Sequence, residues 1–376
     1  MKVSIVAFDL SDNAAGRADL LARLLSPRYR TDVVGPRFGG EIWRPARAGA
    51  IEYRALPASR YPGFAARVPA LLDLIDGDVI YASKLRPTSY GLALLARARR
   101  RRPLLVDIDD WELGFFYRSG RWRGIGRALN LGNPNGLPWT WLMERWVGRA
   151  DAHTVASRFL QRRFGGTLIP HVRDTEAWDP ARYDRQAARG ALGLEGRPLV
   201  MFLGTPRAYK GVDDLVEAVA QLGDDTRLAI VGVKPDSTEA RRWAARPFVR
   251  VVAEIPFDEV PRYLSAADVV AIPQRATTDT VGQVPAKLFD AMALGRPLVS
   301  TSVSMIPEIL DGCGLVVPPG DVRALSEALR RLLADRALAE ALGRRARARC
   351  EAHYSFAAAR RDLFPMLDAL AAGRRP

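Results

Sequence analysis

The sequence predicts an α/β chain built as two doubly wound, parallel-sheet domains facing across a cleft. Three observations predict it. Short apolar runs alternate with longer amphipathic stretches along nearly all of the 376 residues. The apolar runs are continuous rather than alternating, as in strands covered on both faces. One polar stretch, residues 174–198 with Pro180, Gly196 and Pro198, divides the series into two halves.

Composition narrows the function classes. Apolar residues make up 48% and charged residues 26%, the balance of a soluble globular chain. No run reaches the roughly 18 apolar residues of a membrane span. MKVSIVAFDL reads as a first buried strand, too short in apolar length for a secretory leader core. Cys313 and Cys350 have no metal-ligand spacing and His153, His171 and His353 are scattered, so a structural metal is not expected and a cytoplasmic location is. The net charge of +14 is lopsided: residues 1–190 hold 31 Lys/Arg against 19 Asp/Glu, the remainder 25 against 23. The first half is therefore expected to meet an anionic partner.

In chain order, the strands expected in the first half are 3–8, 32–36, 78–82, 103–107, 152–157 and 167–170. In the second half they are 199–204, 228–232, 248–252, 268–273, 297–301 and 314–318. GVDDLVEAVAQL and DVRALSEALRRLLADRALAEAL repeat apolar residues at helical spacing. The expected domains are 1–180 and 190–354, with a last helix in 355–376 returning to the first domain. Ligands of such sheets sit at the carboxyl ends of strands, near the point where strand order reverses.

The strongest local signal is LVMFLGTPRAYKGVDDLVEAVAQL, residues 199–222. A strand ends at Gly204, a loop carries Arg207 and Lys210, and a helix begins after Gly211. Small residues admit close backbone approach, a helix N-terminus favours anions, and two cations make a diphosphate the natural guest. A plain strand-to-helix loop with solvated cations is the simpler alternative. About 80 residues later comes PAKLFDAMALGRPLVSTSVSMIPEILDGCGLVVPPGD, residues 285–321.

Together, and with DVIYA, LLVDIDDWE and ADAHTVASRFLQRRFG in the first half, these segments resemble glycosyltransferase family 4, retaining enzymes of the GT-B fold. The resemblance implies transfer of a sugar from a nucleotide-diphosphate sugar to a hydroxyl acceptor, with no tightly bound cofactor and no metal. It implies that Lys210 neutralises the donor pyrophosphate. Thr205 stands where the family has an arginine after Gly204, and Arg207 is the candidate substitute. Asp290 matches the second acid of the family's E-x7-E motif, which binds the nucleotide ribose. The first acid falls at Gly282, so Asp279 or Gln283 is left to meet the sugar. Pro285 withholds one amide, and Lys287, followed by Leu288, fits a Pro-x-Lys branch.

The first half is expected to bind the acceptor. The turn at Asn13–Gly16 resembles the family loop that touches the donor phosphate with its amides, though tight packing explains it equally. Asp109 and Asp110, at a strand's carboxyl end, are candidate acceptor contacts, Asp110 in a catalytic role; capping of a following helix by Asp110 is the alternative. His171, in place of a family asparagine, reads as acceptor-side or structural. No dense carboxylate cluster for a metal is expected.

Residues 115–149 interleave Arg118, Arg121, Arg123 and Arg127 with Trp122 and other aromatics. This suits contact with an anionic membrane surface at the inner face of the cell, and a lipid-linked or envelope-glycan acceptor. Solvated arginines over core aromatics are the alternative; nucleic acid is not expected. Two further readings stay open: a catalytically weak sugar-nucleotide-binding partner subunit, and a nucleotide-sugar 2-epimerase of related fold.

Overall fold

The computed structural model describes residues 1–43, 51–117, 130–278 and 280–374. They form two compact units, residues 1–170 with 359–376, and residues 171–358.

The first unit holds a seven-stranded sheet of β1 Lys2–Val6, β2 Arg30–Arg37, β3 Glu52–Pro57, β4 Val79–Ser83, β5 Leu104–Ile108, β6 Ala152–Val155 and β7 Thr167–Leu168. Their order is β3-β2-β1-β4-β5-β6-β7, every pair parallel. β4 and β5 are buried along their whole length, which explains the apolar runs Val79–Ala82 and Leu104–Val106. β3 is absent from the strands expected from sequence. It is an edge strand, paired to β2 alone and half-exposed, and EYRALP carries Glu52, Arg54 and Pro57 rather than an apolar run.

The second unit holds β8 Leu199–Leu203, β9 Arg227–Val231, β10 Val249–Val252, β11 Val269–Ile272, β12 Leu298–Thr301 and β13 Leu315–Val317. All six coincide with expected strands to within two residues at either end. Their order, β10-β9-β8-β11-β12-β13, is all parallel and is that of dinucleotide-binding sheets. The long amphipathic stretch after residue 320 is two helices, Val322–Ala334 and Arg336–His353. Asp335 caps the second, its carboxylate accepting from Leu338 N at 2.9 Å.

The helix Phe356–Ala371 ends in the first unit, where Asp368 accepts from Arg28 and from the Tyr29 hydroxyl, both at 2.7 Å, and Phe364 meets the Tyr29 ring edge-on. A buried ion pair organises the centre of this unit. Arg17, on the helix Ala15–Leu25, donates twice to Asp107 at 2.8 Å and to the carbonyls of Ile169 and Pro170 at 2.9 and 3.1 Å. Thr154 completes the carboxylate at 2.8 Å. Asp107, one of four neighbouring acids in the sequence, is thereby a core residue.

Removing one partner of such a pair strands a charge in the interior. Arg17→Met is expected to lower the stability of the first unit by about 3–5 kcal/mol, read from the urea midpoint. Arg17→Met with Asp107→Leu should recover part of that loss.

Candidate active site

Parallel strands send their carboxyl ends to one edge of a sheet, and the order of the second sheet reverses between β8 and β11. Crossovers leave these neighbours in opposite directions, which opens room for a ligand. Residues 204–211 leave β8 at this point, and Pro273, Gln274 and Arg275 leave β11 beside them.

Three consecutive residues of one loop are joined to three of the other. Arg275 N donates to Tyr209 O at 2.8 Å. Lys210 Nζ donates to Gln274 Oε1 at 3.2 Å. Gly211, at φ 65°, lies so close that a Cβ there would stand 1.9 Å from Pro273 O. The Arg275 guanidinium closes the seam with two bonds, 2.8 and 2.5 Å, to Asp214 in the first turn of the helix Val212–Ala220. Lys210 also donates to Gln283 Oε1 at 3.4 Å. Lys210 is half-buried, while Thr205 and Arg207 are exposed on the same loop. Gly204 takes φ 143°, and the Lys287 stem passes 3.8 Å from where its Cβ would stand. Lys210, Gly204, Gln283 and Lys287 are therefore brought together.

Asp290 was expected to bind the nucleotide ribose. It is fully buried on the helix Ala286–Ala293, with one oxygen bonded by Arg173 Nε and the other 3.1 Å from Lys287 Nζ. The partly exposed group beside it is the Lys287 ammonium. Leu288 is likewise fully buried and its amide is bonded to Pro285 O, so it builds the helix core. Arg173 is the residue that sequence reasoning missed. It lies 117 positions from Asp290, and no local pattern links them. Gly282 is buried, Asp279 lies outside the described residues, and the His171 ring packs 6.5 Å from that of Phe289 in the second unit.

In the first unit the strand order reverses between β1 and β4. After β1, Asn13 is exposed in the turn, and Gly16 leaves room for the Trp43 ring, 3.2 Å from where a Cβ would stand. After β4, Lys84 takes the unusual φ of 77°. Its ammonium bonds Asp109 at 2.7 Å and Asp110 at 2.9 Å and stands 3.3 Å from Glu112, which Arg86 also pairs. This corrects the expectation of no carboxylate cluster: ligand atoms of Asp109, Asp110 and Glu112 lie within 4.8 Å of one another. The three acids are gathered around Lys84.

Among the described residues, Lys84 and Arg86 are the cations paired with these acids. Burial, opposed by Lys84 and reinforced by Asp110 and Asp107, pushes Asp109 up to about 7. Burial pulls Lys84 down, but the three carboxylates outweigh it and hold the ammonium well above its ordinary value.

Arg118, Arg121, Trp122, Arg123 and Arg127 lie outside the described residues. In the described remainder of that aromatic stretch, Leu131 and Trp141 are exposed, and Arg145 and Arg149 stack over Trp141 and Trp146 at 4.8 and 4.2 Å. No helix among the described residues is long and apolar enough to cross a membrane.

Residues 197–335 match the family model described as glycosyl transferases group 1. The chain is 34% identical over 367 residues to a GDP-mannose-dependent alpha-(1-6)-phosphatidylinositol monomannoside mannosyltransferase of Mycolicibacterium smegmatis, covering 90% of this chain and 91% of that one. It is 31% identical over 195 residues to the alpha-D-kanosaminyltransferase of Streptomyces kanamyceticus, about half of each chain. Among solved structures it is similar to sucrose-phosphate synthase from Thermosynechococcus elongatus, with TM-score 0.75 and 20% identity over 99% of this chain and 100% of that one. It is also similar to Anabaena HepE in complex with UDP and glucose, with TM-score 0.74 and 18% identity over 98% and 100%.

The acid cluster generates a stability prediction. The ordinary value for Asp109 is 3.8 and the folded one about 7, so between these the native state binds the extra proton. Stability is then highest below the lower value and falls as pH rises through about 7. Urea midpoints should drop from pH 5 to pH 8, and Asp109→Asn should flatten that drop.

Proposed function

The chain belongs to the group 1 glycosyltransferases, and from that premise we propose that it is a retaining enzyme of glycosyltransferase family 4. Its donor is a nucleotide-diphosphate sugar and its acceptor a hydroxyl of a membrane glycolipid or envelope glycan. The observation that carries this reading is the Lys210 ammonium, held on amide oxygens at the strand-order reversal of a dinucleotide-binding sheet.

The proposed chemistry is that of the family the sequence resembles. The acceptor oxygen attacks the anomeric carbon as the bond from that carbon to the diphosphate breaks. The acceptor proton passes to a diphosphate oxygen, and retention follows from attack on the face being vacated. Charge develops on the leaving diphosphate, where Lys210, Arg207 and Lys287 stabilise it without a metal. Asp290 and Arg173 orient Lys287 rather than meet ribose. In the first unit Asp109 and Asp110, fixed by Lys84, are assigned to the acceptor hydroxyls. Among donors, GDP-mannose is the first to try, because it is named for the relative that is 34% identical across nearly the whole chain.

Cytoplasmic placement at an anionic membrane face belongs to the same proposal. It is supported by the basic first half, by the exposed Leu131, and by the exposed Trp141 under Arg145. Gly282, where the family has an acid, favours one second reading: a partner subunit that binds a sugar nucleotide without turning it over.

Thermal shifts against GDP, UDP and ADP and their sugars should single out one base, since a ligand of the native state raises its apparent stability. Lys210→Ala should lower kcat by roughly 10²–10³; unchanged turnover would remove the diphosphate assignment. Absence of both sugar transfer and donor hydrolysis in the wild type would favour the partner-subunit reading. Replacing Arg118, Arg121 and Arg123 with Ser should weaken binding to phosphatidylserine vesicles roughly hundredfold at low salt, at about 1 kcal/mol per arginine. No change in that binding would count against the membrane contact.

A further inference from the structure

Of the three residues that leave β11 to hold the lysine loop, Pro273 and Arg275 are engaged through their backbones and the Asp214 pair, whereas Gln274 is engaged through its side chain. Gln274 is fully buried. Its backbone is pinned from both sides: its N–H donates to Ile272 O at 2.9 Å, and the Thr301 hydroxyl donates to its carbonyl at 2.5 Å. Its Oε1 accepts from Lys210 Nζ at 3.2 Å. Its Nε2 is equally buried and finds no acceptor among the described residues. A buried amide donor left unmade is costly, and a leucine would fill similar space without that cost. An amide kept here therefore points to a partner that arrives with the ligand.

We propose that Gln274 is a specificity-determining residue of the donor site. One end of its amide steadies the Lys210 ammonium, and the other donates to the phosphate oxygen which that ammonium attracts. The proposal rests on the diphosphate reading of Lys210. The geometry links the two groups. Both ends of the amide lie in one rigid plane, so Nε2 lies beside the ammonium that Oε1 holds. The lysine stem is flexible and its head half-buried; as the head moves onto a phosphate oxygen, it uncovers Nε2 next to the same oxygen. The ligand class is a nucleoside diphosphate, recognised at its terminal phosphate. A nucleoside monophosphate lacks that group and is indifferent to Gln274.

Titration calorimetry of the full chain with GDP against GMP, and UDP against UMP, tests this. Gln274→Leu should weaken the diphosphate of the preferred base about tenfold or more while leaving the monophosphate within about twofold. Gln274→Glu keeps an acceptor for Lys210 but replaces the donor with a negative charge, so it should weaken the diphosphate further, again sparing the monophosphate. It is also nearly isosteric, and decides the matter if the leucine variant does not fold. Wild-type diphosphate affinity in the glutamate variant, or equal loss of diphosphate and monophosphate, overturns the proposal. Lys210→Ala in the same titration separates the two levels. If it leaves diphosphate affinity unchanged, the diphosphate reading fails. If it weakens affinity while both Gln274 variants do not, the inference about Gln274 alone fails.

Discussion

The second unit of this protein depends on one backbone contact that only glycine permits. Gly211 turns left-handed at the start of a helix while its α-carbon lies against the carbonyl of Pro273. Any side chain there meets both a strained φ and a carbonyl oxygen in its path. The contact draws the loop after β8 onto the loop after β11, and everything chemical in that unit follows. Tyr209 meets the Arg275 amide, Lys210 meets Gln274, and Asp214 meets the Arg275 guanidinium. A cation at a strand-order reversal is thus held by main-chain geometry rather than by the chance position of a long side chain.

The buried charges fall into two kinds. Arg17 and Asp107 satisfy each other and nearby carbonyls completely, an arrangement that organises a core and leaves nothing for a ligand. The groups at the strand ends are less self-contained. Three acids crowd one buried ammonium at Lys84, Lys287 is partly exposed beside its buried carboxylate, and the Gln274 amide is half used. These less self-contained groups follow the carboxyl ends of β4, β5 and β11, whereas the Asp107 pair lies within β5 itself.

Much of the fold was legible because a parallel strand covered on both faces must be an unbroken apolar run. The fully buried β8 and β11 of the second sheet announce themselves that way, and the edge strand β10 keeps three valines around Arg250. β3 does not, because an edge strand needs only one covered face, and Arg54 is held instead by Asp32 and Asp76. The loop around Lys210 was legible for a related reason: glycine beside cations at a strand end is a local pattern. Asp290 was legible as a special residue, though its working partner was not. Arg173 reaches it from a distant part of the chain, and helix periodicity carries no information about which charge arrives from elsewhere. Lys84 was hidden similarly, since its three carboxylates follow the next strand and only the sheet brings them to it.

The helix Phe356–Ala371 gives the molecule a birth order. Its partners Arg28 and Tyr29 are made before any of 171–358, yet Phe364 and Asp368 follow only after all of that stretch has been translated. During synthesis the second unit, continuous in the chain, has its full complement of residues before the first does. The early half waits on the ribosome with the flank of its first helix uncovered, a stretch in which a chaperone has reason to bind. Moving this helix ahead of Met1 in a permuted chain would reverse the order and let each half close as it emerges.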